Sequence, residues 1–223
     1  MRLVRLVLII TILLGLALTM GAAQNPPAAP VGQRGGAPAA APGGAADPQR
    51  GGRGGGGGNR GAMSTMTLIT TAWPDGGQIP VMYTQAGNET SPGIQWSGAP
   101  AGTQSFALIF HDLDAPTGDG ISDIMHWLVW NIPGTATQLA QGRPDGFVLP
   151  DGAKQISVSG SRYRGPGAPA IAPMHHYTLE LFALDQKLDL PEKPTRADVM
   201  KAMDMHVIGK AAYVGLYHQP AAQ

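Results

Sequence analysis

Three runs of the chain alternate side-chain character with a period of two: SFALIFHD from Ser105, HWLVWNIP from His126 and HHYTLELFALD from His175. Successive residues of a strand point to opposite faces, so such runs read as half-buried or fully buried β-strands rather than helices. Phe106, Leu108 and Phe110 then share a face with Asp112. In the second run His126, Leu128 and Trp130 fall on one face and Trp127, Val129 and Asn131 on the other, both largely apolar, which predicts a central strand. In the third, His175, Tyr177, Leu179 and Leu181 point one way and His176, Thr178 and Glu180 the other. Gly and Pro turns separate these runs and the shorter TLITTAW, IPVMYTQAG and IQWSGAP, which read as brief strands and turns. Helix is expected after Thr195, a capping residue, with Val199, Met203 and His206 on a common face; the following KAAYVGLYHQ suits either more helix or a closing strand.

The strand pattern begins only after residue 62. Residues 1–23 place Arg2 and Arg5 before an apolar run from Leu6 to Leu18 and then small residues to Ala23, the order of an export signal, with removal expected near Ala23. That run is shorter than the roughly 18–20 residues of a comfortable membrane span, so no stable span is expected once the signal is removed. Residues 24–62 are Gly, Pro, Ala and Arg with almost no large apolar side chain, a composition that cannot offset its own ordering entropy and reads as a linker. Residues 63–223 are left as one domain, large enough for a single core. With no cysteine in the chain, its stability must come from packing, and thiolate metal ligation is excluded. From Met63 onward nine lysines and arginines face fourteen aspartates and glutamates, which disfavours nucleic acid as a partner.

Chemistry-bearing residues crowd into HDLDAPTGDGISDIMHWLVWNIPG, from His111 to Gly134. Asp112, Asp114, His111, His126 and His175 are side chains of the kind that hold zinc or iron, but no diagnostic metal spacing is present. No G-x-S-x-G nucleophile elbow occurs. An acid and base pair, a metal site and a pocket that binds without converting all remain open on these residues. Asp119 and Asp123 read as part of a solvated loop, and an unpartnered His126 on a buried strand would be costly.

LDAPTG followed by HWLVWNIPG, then YRGPGAP followed by HHYTLELFALD, resembles the phosphatidylethanolamine-binding protein family, specifically its bacterial Raf-kinase-inhibitor-like branch. TSPGIQWSGAPAGTQSFALIF and MDMHVIGKAAYVGLY extend the resemblance over nearly the whole domain. It implies a mainly β fold, a Greek-key antiparallel β-sandwich with short peripheral and C-terminal helices. It also implies a small anion-accepting pocket, carried residue by residue onto Asp112, Asp114, Pro116, His126, Gly165, Pro166, Pro169, His175 and Tyr177. Three positions depart from the family pattern: Leu113 stands where Pro is usual, His176 replaces the Arg of H-R-Y, and Ala168 breaks a Pro pair. The chain ends soon after GLYHQ, which implies a more open site than in animal members.

The expectation is therefore an exported, non-enzymatic protein without a cofactor that binds a small phosphate-like anion or phosphorylated head group and modulates a partner enzyme, as kinase- and protease-controlling relatives do. The alternatives are a weak hydrolase or metal-dependent phosphodiesterase using the same aspartates and histidine, and a surface module in which the linker matters more than the pocket.

Overall fold

The computed structural model describes residues 63–221, so the expected export signal over 1–23 and linker over 24–62 lie outside the described residues. In chain order the strands are β1 (Ser64–Thr65), β2 (Thr67–Thr70), β3 (Gly77–Gln78), β4 (Ile94–Ser97), β5 (Ser105–Asp112), β6 (Ile124–Pro133), β7 (Gln138–Leu139), β8 (Lys154–Ile156), β9 (His175–Leu184) and β10 (Val207–Tyr217). A 3-10 turn spans Val81–Tyr83, and helix α1 spans Arg196–Met203. The larger sheet runs β1-β10-β9-β5-β6-β8, with β3 also on β10, and the smaller runs β2-β4-β7. Within the larger sheet β9 returns beside β5 and gives the order β9-β5-β6-β8, a Greek key. The ladders are antiparallel apart from the short pairings of β1 and β3 with β10, which are parallel.

Both faces of the larger sheet are covered, which is why every residue of β5 is buried. On one face Phe106, Leu108, Phe110, Trp127 and Val129 pack against Leu68, Ile94 and Trp96 of the smaller sheet. On the other, Ala107, Ile109, Leu128 and Trp130 pack under Val199 and Met203 of α1. The helix starts at Thr195 through a capping box with Asp198, whose N–H bonds the Thr195 hydroxyl at 3.2 Å and whose carboxylate takes the Thr195 N–H at 2.8 Å. It ends at Met203, and the segment after it is the closing strand β10; His206 therefore lies beyond the helix, 2.8 Å from Asp185.

Strict alternation fails on β6 at two places, and the first matters for function. Phe110 pairs with Trp127 but His111 pairs with Met125, so His126 is an extra residue opposite no partner. The resulting β-bulge turns His126 away from Leu128 and Trp130 and onto the face of Trp127, where its ring meets Phe110 and Tyr177 edge-on at 6.0 and 5.2 Å. The second bulge puts three β6 steps against two on β5 between Phe106 and Leu108, with Asn131 at φ 55. Asn131 leaves the inner face and exchanges hydrogen bonds with the Leu188 backbone at 2.8 and 2.9 Å, while Ile132 takes the inner position.

Candidate functional site

Asp112 ends β5 opposite Ile124 at the start of β6 and opposite Tyr177 near the start of β9, and His175 pairs with Tyr217 at the end of β10. One end of the larger sheet thus gathers the residues that open this cavity. It has a volume of about 400 Å³ and is lined by Gln85, Asp112, Ala115, Pro116, Ile124, His126, Val158, Ser159, Arg164, Gly167, Ala168, Pro169, His175 and Tyr177. Aliphatic and proline side chains form much of its wall, with a few polar groups converging inside, the usual make-up of a small-ligand site. A larger groove of about 800 Å³, toward Met203 and Val207, collects methionines, Phe182 and two exposed-edge aspartates, with no buried imidazole. The smaller cavity is the one lined by the buried Asp112, His126 and His175.

The polar groups are held in a definite order. The buried Asp112 carboxylate accepts from His175 Nδ1 at 2.9 and 3.1 Å and from the Asp114 N–H at 3.0 Å. The His175 ring is thereby fixed by a carboxylate at its back. His126 donates through Nδ1 to the carbonyls of Gly165 and Arg164, at 3.0 and 3.1 Å, a tautomer assigned by its two acceptors. Its Nε2 has no protein partner among the described residues. Burial disfavours the charged ring and holds the His126 pKa below the ordinary 6.5, the Gly165 and Arg164 carbonyls and the Asp112 charge opposing it only in part. The Tyr177 hydroxyl accepts from the N–H groups of Ala168 and Gly167 at 3.1 and 3.2 Å. Burial and the neighbouring Asp112 push its pKa up, so it stays a phenol.

Of the residues predicted from sequence, Asp112, Pro116, His126, His175 and Tyr177 line this cavity, as does Pro169. Asp114 does not. Its carboxylate turns to the half-exposed rim and bonds the His176 N–H and ring at 2.5 and 2.8 Å; that N–H, chiefly, holds its pKa below the ordinary range. Gly165 and Pro166 stand behind the wall and act through backbone carbonyls, to His126 and to the Gln85 N–H respectively. His111, considered above with the metal-type side chains, faces away from the cavity. It lies 2.6 Å from Asp123, and its Nε2 is at ion-pair distance, 3.2 Å, from Glu180 without hydrogen-bond alignment. Burial lowers the His111 pKa, but the two carboxylates outweigh it and the net shift is upward. In return the His111 contact, against the opposing effect of burial, and Lys210 at 2.7 Å bring Glu180 down to about 2. Asp123, expected in a solvated loop, is instead part-buried between His111 and the bidentate guanidinium of Arg196. It pins the end of the loop that carries Ala115 and Pro116 to the sheet.

The sequence reading missed Arg164, Gln85, Ile124 and Val158. Arg164 was within view, one residue before Gly165 in YRGPGAP. Gln85 follows the 3-10 turn in IPVMYTQAG, which reads as strand and turn and offers no pattern of its own.

Among known proteins, the sequence profile described as Phosphatidylethanolamine-binding protein matches residues 69–218. A UPF0098 protein from Methanothermobacter thermautotrophicus is 42% identical over 156 residues, covering 69% of this chain and 99% of that protein. The crystal structure of Escherichia coli YbcL superposes with a TM-score of 0.62 at 30% identity, over 69% of this chain and 98% of that one. That of the homologue CT736 from Chlamydia trachomatis gives 0.62 at 30%, over 70% and 99%. Profile, relatives and two-sheet architecture agree: the chain belongs to the phosphatidylethanolamine-binding protein family, in the branch of its bacterial homologues.

Proposed function

We propose that the protein is an exported, non-enzymatic binding protein whose cavity takes a small phosphorylated head group together with a proton. The observation that supports this most is the unpartnered Nε2 of a buried, neutral His126 facing a cavity that already contains the Asp112 carboxylate. In its neutral form the site offers lone pairs, which repel an anion. A proton on Nε2 turns the same atom into a charge-assisted donor. The Asp112 carboxylate, steadied by His175 and the Asp114 N–H, suits an ammonium on the same ligand. Ile124, Val158 and Pro116 add an apolar rim beside these polar groups.

The sign of the pH dependence follows. The empty protein has a His126 pKa below 6.5, and a bound anion raises it. Affinity therefore climbs as pH falls through the bound-state value and levels off below the empty-state value, with a slope of at most about tenfold per pH unit for one proton. Glycerophosphoethanolamine is the suitable probe, because its phosphodiester does not itself titrate near neutrality. Calorimetric titration between about pH 5.5 and 8 should show tightening toward acid and net proton uptake; affinity that is flat or rises with pH would count against the reading.

The Asp112–His175 pair also has the geometry of a carboxylate orienting a general base, which favours a hydrolytic second reading. Turnover of an ester or phosphodiester that disappears in Asp112→Asn would carry that reading instead. Modulation of a partner enzyme at the cavity mouth, where Val158 is exposed, is compatible with either. No helix of the described residues is long and apolar enough to cross a membrane; export is inferred from residues 1–23.

A further inference from the structure

One charged side chain in the cavity wall has no place in the scheme above. Arg164 follows the tight segment after β8, and its backbone carbonyl is one of the two acceptors of His126 Nδ1. Its guanidinium is held from outside. Nη1 bonds Glu89 at 3.1 and 3.3 Å, and Nη2 bonds Gln85 Oε1 at 2.5 Å. Nε has no protein acceptor among the described residues, and Arg164, its side chain 30% exposed, is one of the residues that line the cavity. Glu89 does not cancel this charge completely. It is shared with Arg162 at 4.0 Å and with the Gly165 N–H at 3.2 Å, so two guanidinium groups face one carboxylate and the cluster keeps a net positive charge.

This cation differs from His126 in kind. A guanidinium is charged at every pH the protein meets, and its planar fork suits two phosphate oxygens. Held by Gln85 and Glu89, it loses little rotamer freedom when a ligand arrives. We propose that Arg164 selects a dianionic phosphomonoester over a phosphodiester in this cavity, an inference that rests on the anion-binding reading above. A phosphodiester carries one negative charge, which protonated His126 satisfies. A phosphomonoester carries about −1.5 to −2 charges at neutral pH, and the additional charge needs a second, permanent cation.

Phosphoethanolamine and glycerophosphoethanolamine share the ammonium and differ in this one respect. Calorimetry on the full chain at about pH 8, where the monoester is dianionic and His126 neutral, isolates the contribution of Arg164. Wild type should prefer phosphoethanolamine by about tenfold or more, the size of one hydrogen-bonded charge pair. Arg164→Gln should bring the ratio near one, and Arg164→Lys, a point charge without the fork, should restore part of it. A merely structural role would weaken both ligands by the same factor in Arg164→Gln. That result, or an unchanged ratio, overturns this proposal and leaves the anion site standing. If wild type binds neither compound at millimolar concentration at about pH 8, this proposal falls; if it binds neither at about pH 6 as well, the anion site falls with it.

Discussion

Gly165→Ala should abolish head-group binding and lower the unfolding free energy by about 1–3 kcal/mol, the usual cost of forcing a methyl group into packed surroundings. A Cβ there would lie 2.6 Å from the Tyr83 carbonyl oxygen and 2.7 Å from Thr84 Cα, both backbone atoms that cannot swing aside. Three hydrogen bonds depend on this approach. The Gly165 carbonyl accepts from His126 Nδ1 at 3.0 Å and from Gln85 Nε2 at 2.8 Å, and its N–H reaches Glu89 at 3.2 Å. Pushing the two loops apart releases His126 from its tautomer and Arg164 from its holders together. Chemical denaturation with calorimetry on the variant is the check; wild-type stability and affinity in both would mean the contact is not required.

The second large effect separates two residues that the sequence ranked alike. His126→Asn keeps an amide donor in the position of Nδ1 for the Arg164 and Gly165 carbonyls but removes Nε2 from the cavity. It should fold as wild type, weaken glycerophosphoethanolamine binding at pH 6 by about tenfold or more, equivalent to losing a charged hydrogen bond, and flatten the pH profile. Asp114→Ala should stay within about twofold, because its carboxylate serves the exposed His176 and salt bridges of that type contribute little. Equal losses in the two variants would return Asp114 to the binding surface.

Where sequence and structure agree, the cause is the period of two. Asp112 shares a face with Phe110, and Tyr177 with His175, because β5 and β9 pair without a register shift from Ser105 to Asp112. The same rule puts His126 on the wrong face, since a bulge is one extra residue and leaves no signature in an apolar strand. Its residue type and its place after the aspartate-bearing loop mark His126 as a candidate, and the resemblance to a known family assigns it to the pocket, but the alternation does not. Asp114 shows the converse: the family pattern includes it, but the carboxylate meets a backbone N–H of β9 at the rim. The bond between Arg164 and Gln85 joins positions 79 residues apart in the chain, across loops without periodicity, and only the folded chain reveals that pairing. His111 and Asp123 were legible as ionisable and not as partners, because their pairing depends on which face of the sheet each one leaves.

Histidine ring spectra of the isotope-labelled protein, recorded against pH with and without glycerophosphoethanolamine, test the central claim at the atom on which it depends. The His126 resonance should titrate below 6.5 in the empty protein and move to higher pH when the ligand is present. A His126 midpoint at or above 6.5 in the empty protein, or one that the ligand leaves in place, would contradict proton-coupled binding in this cavity.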